Sequence, residues 1–339
     1  MIANALAKVV DGHNLSETEM KAVMEDIMDG KVSSVQIAAF LIALRMKGEV
    51  VEEITAAAKV MRKKVVPVKV SVDTSETLVD TCGTGGDKKG TFNISTVSAF
   101  VIAGAGVKVA KHGNRSVSSK CGSADLMQAL GININVPVDK IEACIEKVGF
   151  GFLYAPLFHA AMKYVAEARK EMGIRTIFNI LGPLTNPAMA SSQLLGVYDG
   201  SLTETFSMVL KELGCKHALI VHGCDGLDEI TITEKTKITE LVKNKFETYY
   251  IHPEDFGMKA GNFADLKGGD INENVLITQR ILNGNGGRQR DVVLLNSAAA
   301  LIAAGKAKDF SQGIALSAES IDSGKAKTIL QTLIELTNE

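Results

Sequence analysis

From Thr77 onward the chain alternates short apolar runs with helical segments, and this alternation limits the fold more than any other feature. Residues 78–80, 107–110, 193–198, 217–221 and 246–251 read as strands. Residues 95–105, 124–130, 140–147, 203–213, 273–282, 292–304 and 326–336 carry the 3.6-residue spacing of helices. Strands separated by helices pair mostly in parallel, in a sheet that the helices cover. The stretch 158–180 breaks the rhythm with two helical pieces and no strand.

The first 65 residues read as helices only. Ser16 and Glu19 form a capping box ahead of Met20, Val23, Met24, Ile27 and Met28. Ser33 and Gln36 repeat it before 37–46, and Val51, Ile54, Ala58 and Met61 mark a further helix. Residues 63–74, with Pro67 and no period, read as a linker. The expectation is an α/β protein in two parts. A small helical domain at 1–70, joined by helices from about 158–187, stands beside a large α/β domain at 75–339 with a mostly parallel sheet.

Composition narrows the partners. With 37 basic against 39 acidic residues, the net charge of -2 offers no case for nucleic acid or a membrane surface. The longest apolar runs fall short of the roughly 20 residues that a membrane helix needs, and residues 1–10 lack a signal-peptide core. Five cysteines without a C-x-x-C spacing fit a reducing cytosol. Cys215, His217, His222 and Cys224 come nearest to a metal cluster, but alternate side chains of a strand point to opposite faces. A cytoplasmic protein is expected.

Four polar motifs carry chemistry. Asp80-Thr81-Cys82-Gly83-Thr84-Gly85-Gly86-Asp87 follows a strand directly, and its glycines let backbone N–H groups approach an anion. It is neither a Walker A loop nor a dinucleotide fingerprint, because Thr91-Phe92 and Lys88 stand where those motifs need other residues. Read alone, it is equally a tight turn. Thr91-Phe92-Asn93-Ile94-Ser95-Thr96 opens the next helix, whose N-terminus suits phosphate; ordinary capping is the alternative. Lys111 to Ser123 gathers two lysines, an arginine, a histidine and four serines in one loop, a set suited to several phosphates. Gly223 to Glu229 offers Asp228 and Glu229, and Mg²⁺ commonly takes one or two carboxylates plus substrate phosphates. Asp225 there reads equally as a turn former. A fifth segment, 162–187, holds Arg169, Arg175 and a Gly-Pro turn, and its basic residues could all be a solvated face.

Together these segments resemble the anthranilate phosphoribosyltransferases. Gly83 to Asp87, Asn93-Ile94-Ser95-Thr96, Lys111 to Ser119, Arg175 to Pro187 and Leu227-Asp228-Glu229 match that family in order and at its spacing, over nearly the whole chain. The resemblance implies a nucleoside phosphorylase/phosphoribosyltransferase-like fold and a homodimer joined through the helical domain. It implies transfer of the phosphoribosyl group of phosphoribosyl pyrophosphate to the amine of anthranilate, with release of pyrophosphate, in tryptophan biosynthesis. Phosphoribosyl pyrophosphate would meet Gly83, Gly86, Asp87, Thr91, Asn93, Ile94, Ser95, Thr96, Lys111, His112, Gly113, Asn114, Arg115, Ser116, Val117, Ser118, Ser119 and Ser123. Mg²⁺ would sit on Ser95, Asp228 and Glu229, and anthranilate would meet Asn114 and Arg169. Ala160 and Glu167 stand where many members have proline, which puts the start of that helix in question. The aromatic amine is neutral near pH 7, so no nucleophile or general base is assigned. A pyrimidine-nucleoside phosphorylase is the competing enzyme, and a nucleic-acid-binding relative the competing non-enzyme.

Overall fold

The computed structural model describes residues 1–70, 77–87, 89–116 and 120–339. It begins with four helices: α1 (Ile2–Val10), α2 (Glu17–Met28), α3 (Ser34–Lys47) and α4 (Val51–Lys64). Both capping boxes form, with Glu19 N donating to Ser16 Oγ and Gln36 N to Ser33 Oγ, each at 3.3 Å. Their carboxylate and amide return to the Ser16 and Ser33 backbone, so the donors left over at each helix start are satisfied.

The rest follows in the order β1 (Leu78–Gly83), α5 (Ile94–Gly104), β2 (Lys108–Gly113), α6 (Ser123–Ala129), α7 (Val138–Val148), β3 (Phe150–Tyr154), α8 (Ala155–Phe158), α9 (Lys163–Met172), α10 (Ile177–Leu181), β4 (Ser192–Gly196), α11 (Leu202–Glu212), β5 (His217–Gly223), β6 (Thr236–Val242), β7 (Lys245–Ile251), α12 (Ile271–Leu282), α13 (Arg288–Ala303), α14 (Phe310–Asp322) and α15 (Lys325–Asn338). The strands make one seven-stranded sheet in the order β3-β2-β1-β4-β5-β6-β7. The first five are parallel, and β6 and β7 add an antiparallel edge.

The short α8 and three longer elements were not anticipated. β3 is a Phe-Gly-Phe-Leu-Tyr run with no polar alternation, buried on both faces. β6 reads as polar because Thr236, Thr239 and Glu240 interrupt it. α14 lies where glycine and serines weaken the helical signal.

Two cores flank the sheet. On one side α5, α13, α14 and α15 pack over Val79, Val109, Leu194 and Leu219. On the other, α2–α4 share a core with Val165 of α9, Ile177 and Phe178 of α10, Phe206 of α11 and Leu195 of β4. Segment 158–187 thus lies against the N-terminal helices. Glu167 accepts a hydrogen bond from Ser34 Oγ at 2.7 Å, and a short 3-10 turn at Ala160–Met162 precedes α9.

The chain leaves β1 in one direction for β2 and β3, then returns to place β4 on β1's other side. In open α/β sheets such a reversal opens a crevice at the carboxyl ends of the strands. Every polar motif sits there: the glycine loop after β1, the Lys111 segment at the end of β2, and the acidic turn after β5.

Candidate active site

Asp228 is seated at this crevice by glycines. A Cβ on Gly83 would lie 2.9 Å from Asp228 Oδ2, and one on Gly196, at the end of β4, would lie 1.7 Å from the Asp228 carbonyl oxygen. Gly85 N then donates to Asp228 Oδ2 at 2.9 Å. Gly196 was not among the expected site residues, because a glycine ending a strand looks like any turn.

Asp87, Asp228 and Glu229 crowd one another. Burial, with the Asp87 charge next, pushes Asp228 up to about 7, and burial with the Asp228 charge pushes Glu229 up to about 8. Asp87 Oδ2 is buried without a donor. The Ser95 backbone N–H at the start of α5 faces Glu229. Lys111 is 2% exposed, and its ammonium donates to the Thr81 carbonyl at 2.5 Å and to Ser95 Oγ at 3.2 Å. Burial holds the Lys111 pKa below its usual range, with Asp80 opposing that shift most. Lys111 offsets Glu229, whereas Asp228 meets Asp87 and Glu229 as like charges, and a divalent cation on Asp228, Glu229 and Ser95 would relieve that crowding. Among the described residues no group of three His, Cys, Asp or Glu forms a ready metal cage. Mg²⁺, which draws most of its ligands from phosphate and water, needs none.

The other expected residues divide. Gly113 and Ser123 touch, since a Cβ on Gly113 would lie 2.4 Å from Ser123 Oγ, which donates to the Asn114 carbonyl at 3.2 Å. Arg115 pairs with Asp125 and Gln128 of α6, each at 2.7 Å, and Ser116 N bonds Asp125 Oδ2 at 3.2 Å. Asn93 does not cap α5 with its side chain; its Nδ2 donates to the Cys121 carbonyl and to Asn274 Oδ1. Thr96 and Ile94 are both buried at the start of α5, and Thr96 Oγ1 has no hydrogen-bond partner among the described residues. Thr91 joins Lys267 in a β-bridge, which fastens the glycine loop from behind. Val117, Ser118 and Ser119 lie outside the described residues.

Arg169 is half-buried, with its guanidinium 5.6 Å from the centre of the Phe178 ring. Burial holds its pKa below the usual arginine range. Sequence reasoning missed Arg175 as a contact to the loop. Its guanidinium stacks 3.9 Å from the Tyr198 ring centre and lies against Gly86, where a Cβ would come within 2.4 Å of Nη2. Gly86 has φ +75, so glycine answers both the turn and the approach. Cys215, His217, His222 and Cys224 do not converge: His217 pairs with Glu240 at 2.7 Å and His222 with the Val197 carbonyl at 2.8 Å. Asp225 is a turn former, accepting from Leu227 N and Thr231 Oγ1.

Residues 75–327 match the glycosyl transferase family a/b domain, and residues 3–65 match that family's helical bundle domain. An anthranilate phosphoribosyltransferase of Moorella thermoacetica is 54% identical, over 98% of each chain. The chain belongs to the anthranilate phosphoribosyltransferase family. Among solved members of that family, the Thermus thermophilus structure superposes with TM-score 0.93 at 41% identity, over 99% of both chains. The Saccharomyces cerevisiae structure in complex with PRPP and Mg superposes with TM-score 0.91 at 28% identity, over 99% of this chain and 98% of that one. The yeast protein is also known in complex with 4-fluoroanthranilate, with TM-score 0.88 at 27% identity over the same shares.

Proposed function

We propose that this chain joins the amine of anthranilate to ribose C1′ of phosphoribosyl pyrophosphate, releasing pyrophosphate, with Mg²⁺ as cofactor. The observation that carries this reading is the convergence of the glycine loop, Lys111, Ser95, Asp228 and Glu229 at the reversal of strand order. Backbone N–H groups of the loop and of the α5 N-terminus are suited to the diphosphate. Mg²⁺ held by Ser95, Asp228 and Glu229 would supply charge neutralisation of the departing pyrophosphate. The chain's own work is to position: Lys111 holds Thr81 and Ser95 in register, and Arg169 offers a two-donor fork to a carboxylate. Phosphate-driven nucleoside cleavage would not require the acidic turn after β5 to close on the glycine loop.

The same reading makes the protein a cytoplasmic homodimer joined through the helical domain. α3 supports this. One face buries Ile37, Phe40, Leu41 and Leu44, while Val35, Ile42 and Met46 stay exposed on the other, Met46 at 83%. A helix apolar on two faces calls for a second partner. Among the described residues no helix is long and apolar enough to cross a membrane.

Incubation with phosphoribosyl pyrophosphate, Mg²⁺ and anthranilate tests the activity. Anthranilate fluorescence should decay only when all three are present. Persistent fluorescence, or cleavage of pyrimidine nucleosides by phosphate instead, overturns the assignment.

A further inference from the structure

Attack by an aromatic amine leaves nitrogen with a proton to lose, and nothing assigned so far receives it. The inference below rests on the phosphoribosyl-transfer reading. His112 ends β2 and His159 follows α8, and their Nε2 atoms lie 3.2 Å apart, with ring centres 5.1 Å apart. One nitrogen must donate. The Gly182 backbone contacts His112 in the sense that favours a protonated ring, as an accepting carbonyl does. With Nε2 turned to His159, that carbonyl takes the Nδ1 hydrogen, and His112 Nε2 becomes the acceptor. The shared hydrogen then belongs to His159 Nε2, which leaves the His159 lone pair on Nδ1. No described residue bonds that nitrogen, and His159 is only half-buried.

The pair stands beside room for a ligand. A Cβ on Gly182 would meet nothing within 4 Å. Phe178, against which Arg169 packs, is four residues before Gly182, about 6 Å along a helical path. Asn114 lies two residues beyond His112. The carboxylates nearest this segment are already engaged, Asp80 by the His112 backbone N–H and Asp125 by Arg115 and the Ser116 and Gly122 backbone N–H groups.

We propose that His159 Nδ1 takes the proton released by the acceptor amine during transfer. The nitrogen lone pair forms the N–C1′ bond as the C1′–oxygen bond breaks, and pyrophosphate leaves with that electron pair. The positively charged nitrogen passes one proton to Nδ1, which gives an imidazolium whose Nε2 hydrogen stays in its bond to His112. The proton then goes to water from the exposed edge of the ring. Burial holds His112 down to about 3 and His159 to about 4, so both rings are neutral beforehand. An arylammonium is a strong enough acid to protonate so weak a base.

His159→Gln tests this step, because its amide N–H can still donate to His112 while the Nδ1 lone pair is lost. In single turnovers at saturating phosphoribosyl pyrophosphate, the rate of anthranilate consumption should fall about 100-fold or more. The KM for anthranilate should change less than about threefold, and calorimetric binding of phosphoribosyl pyrophosphate should not change. Added imidazole should restore rate to His159→Ala in proportion to its concentration. A His159→Gln rate within about threefold of wild type, or a loss confined to KM without imidazole rescue, overturns the proposal and leaves His159 a contact. A wild-type chain inert toward anthranilate overturns the functional reading itself, and this step with it.

Discussion

Lys111 Nζ lies 3.2 Å from Ser95 Oγ, a contact that ties the end of β2 to the first turn of α5. Under the proposed function the lysine would act at two levels, supplying charge beside the glycine loop and orienting the Ser95 hydroxyl proposed to hold Mg²⁺. Its buried stem packs inside the sheet, so an alanine there would also open a cavity.

Lys111→Met keeps most of the volume and removes the charge. Phosphoribosyl pyrophosphate affinity should fall by about 1.5–3 kcal/mol, or roughly 10- to 150-fold. Anthranilate affinity should move far less. Separate calorimetric titrations decide it, and equal weakening of both ligands counts against a phosphate role.

Arg169→Lys should raise the KM for anthranilate although the positive charge is kept, because an ammonium cannot copy a two-donor fork. The expected loss in kcat/KM is on the order of 1–3 kcal/mol. The burial of Arg169 against Phe178 favours this over a solvated helix face, where changes stay within about 0.5 kcal/mol. Unchanged KM in both Arg169→Lys and Arg169→Ala would move the carboxylate contact elsewhere.

The α3 stripe gives a test of assembly. Ile42→Glu with Met46→Glu leaves Ile37, Phe40, Leu41 and Leu44 in the core untouched. Sedimentation should show a dimer for the wild type and a monomer of preserved helicity for the variant. A wild type that sediments as a monomer at micromolar concentration removes the interface.

How far the site was legible depended on how local its signal was. The glycine loop, the Lys111 segment and the Asp228-Glu229 pair are contiguous in sequence, and each announces its chemistry within a few residues. Gly196 and His159 do not. Gly196 matters only because β4 returns beside β1 and brings its Cα against the Asp228 carbonyl. His159 matters only because α8 ends over the end of β2. The fold shows the same contrast. The capping boxes and the 3.6-residue spacing located most helices, whereas β3 and β6 lack the alternation that a one-faced strand shows.

The Asp228 and Glu229 pair should set activity and metal-free stability against each other. Both acids are held above their ordinary range in the folded state, to about 7 and about 8. Their stabilising contribution is therefore complete at acid pH, below the unfolded carboxylate values, and is lost as pH rises through 7 and 8. Lys111, held low by burial, acts in the opposite direction, so comparison with a variant isolates the acids. Asp228→Asn with Glu229→Gln should flatten the fall of metal-free Tm between pH 6 and pH 8, and turnover should nearly vanish. Mg²⁺ should raise the wild-type Tm more at pH 8 than at pH 6, because it binds the ionised pair, and should leave the variant unmoved. Thermal scans at the two pH values, with and without Mg²⁺, make the comparison. A variant whose Tm falls with pH as steeply as the wild type's, or that keeps full turnover with the same Mg²⁺ requirement, would show that the cation sits elsewhere.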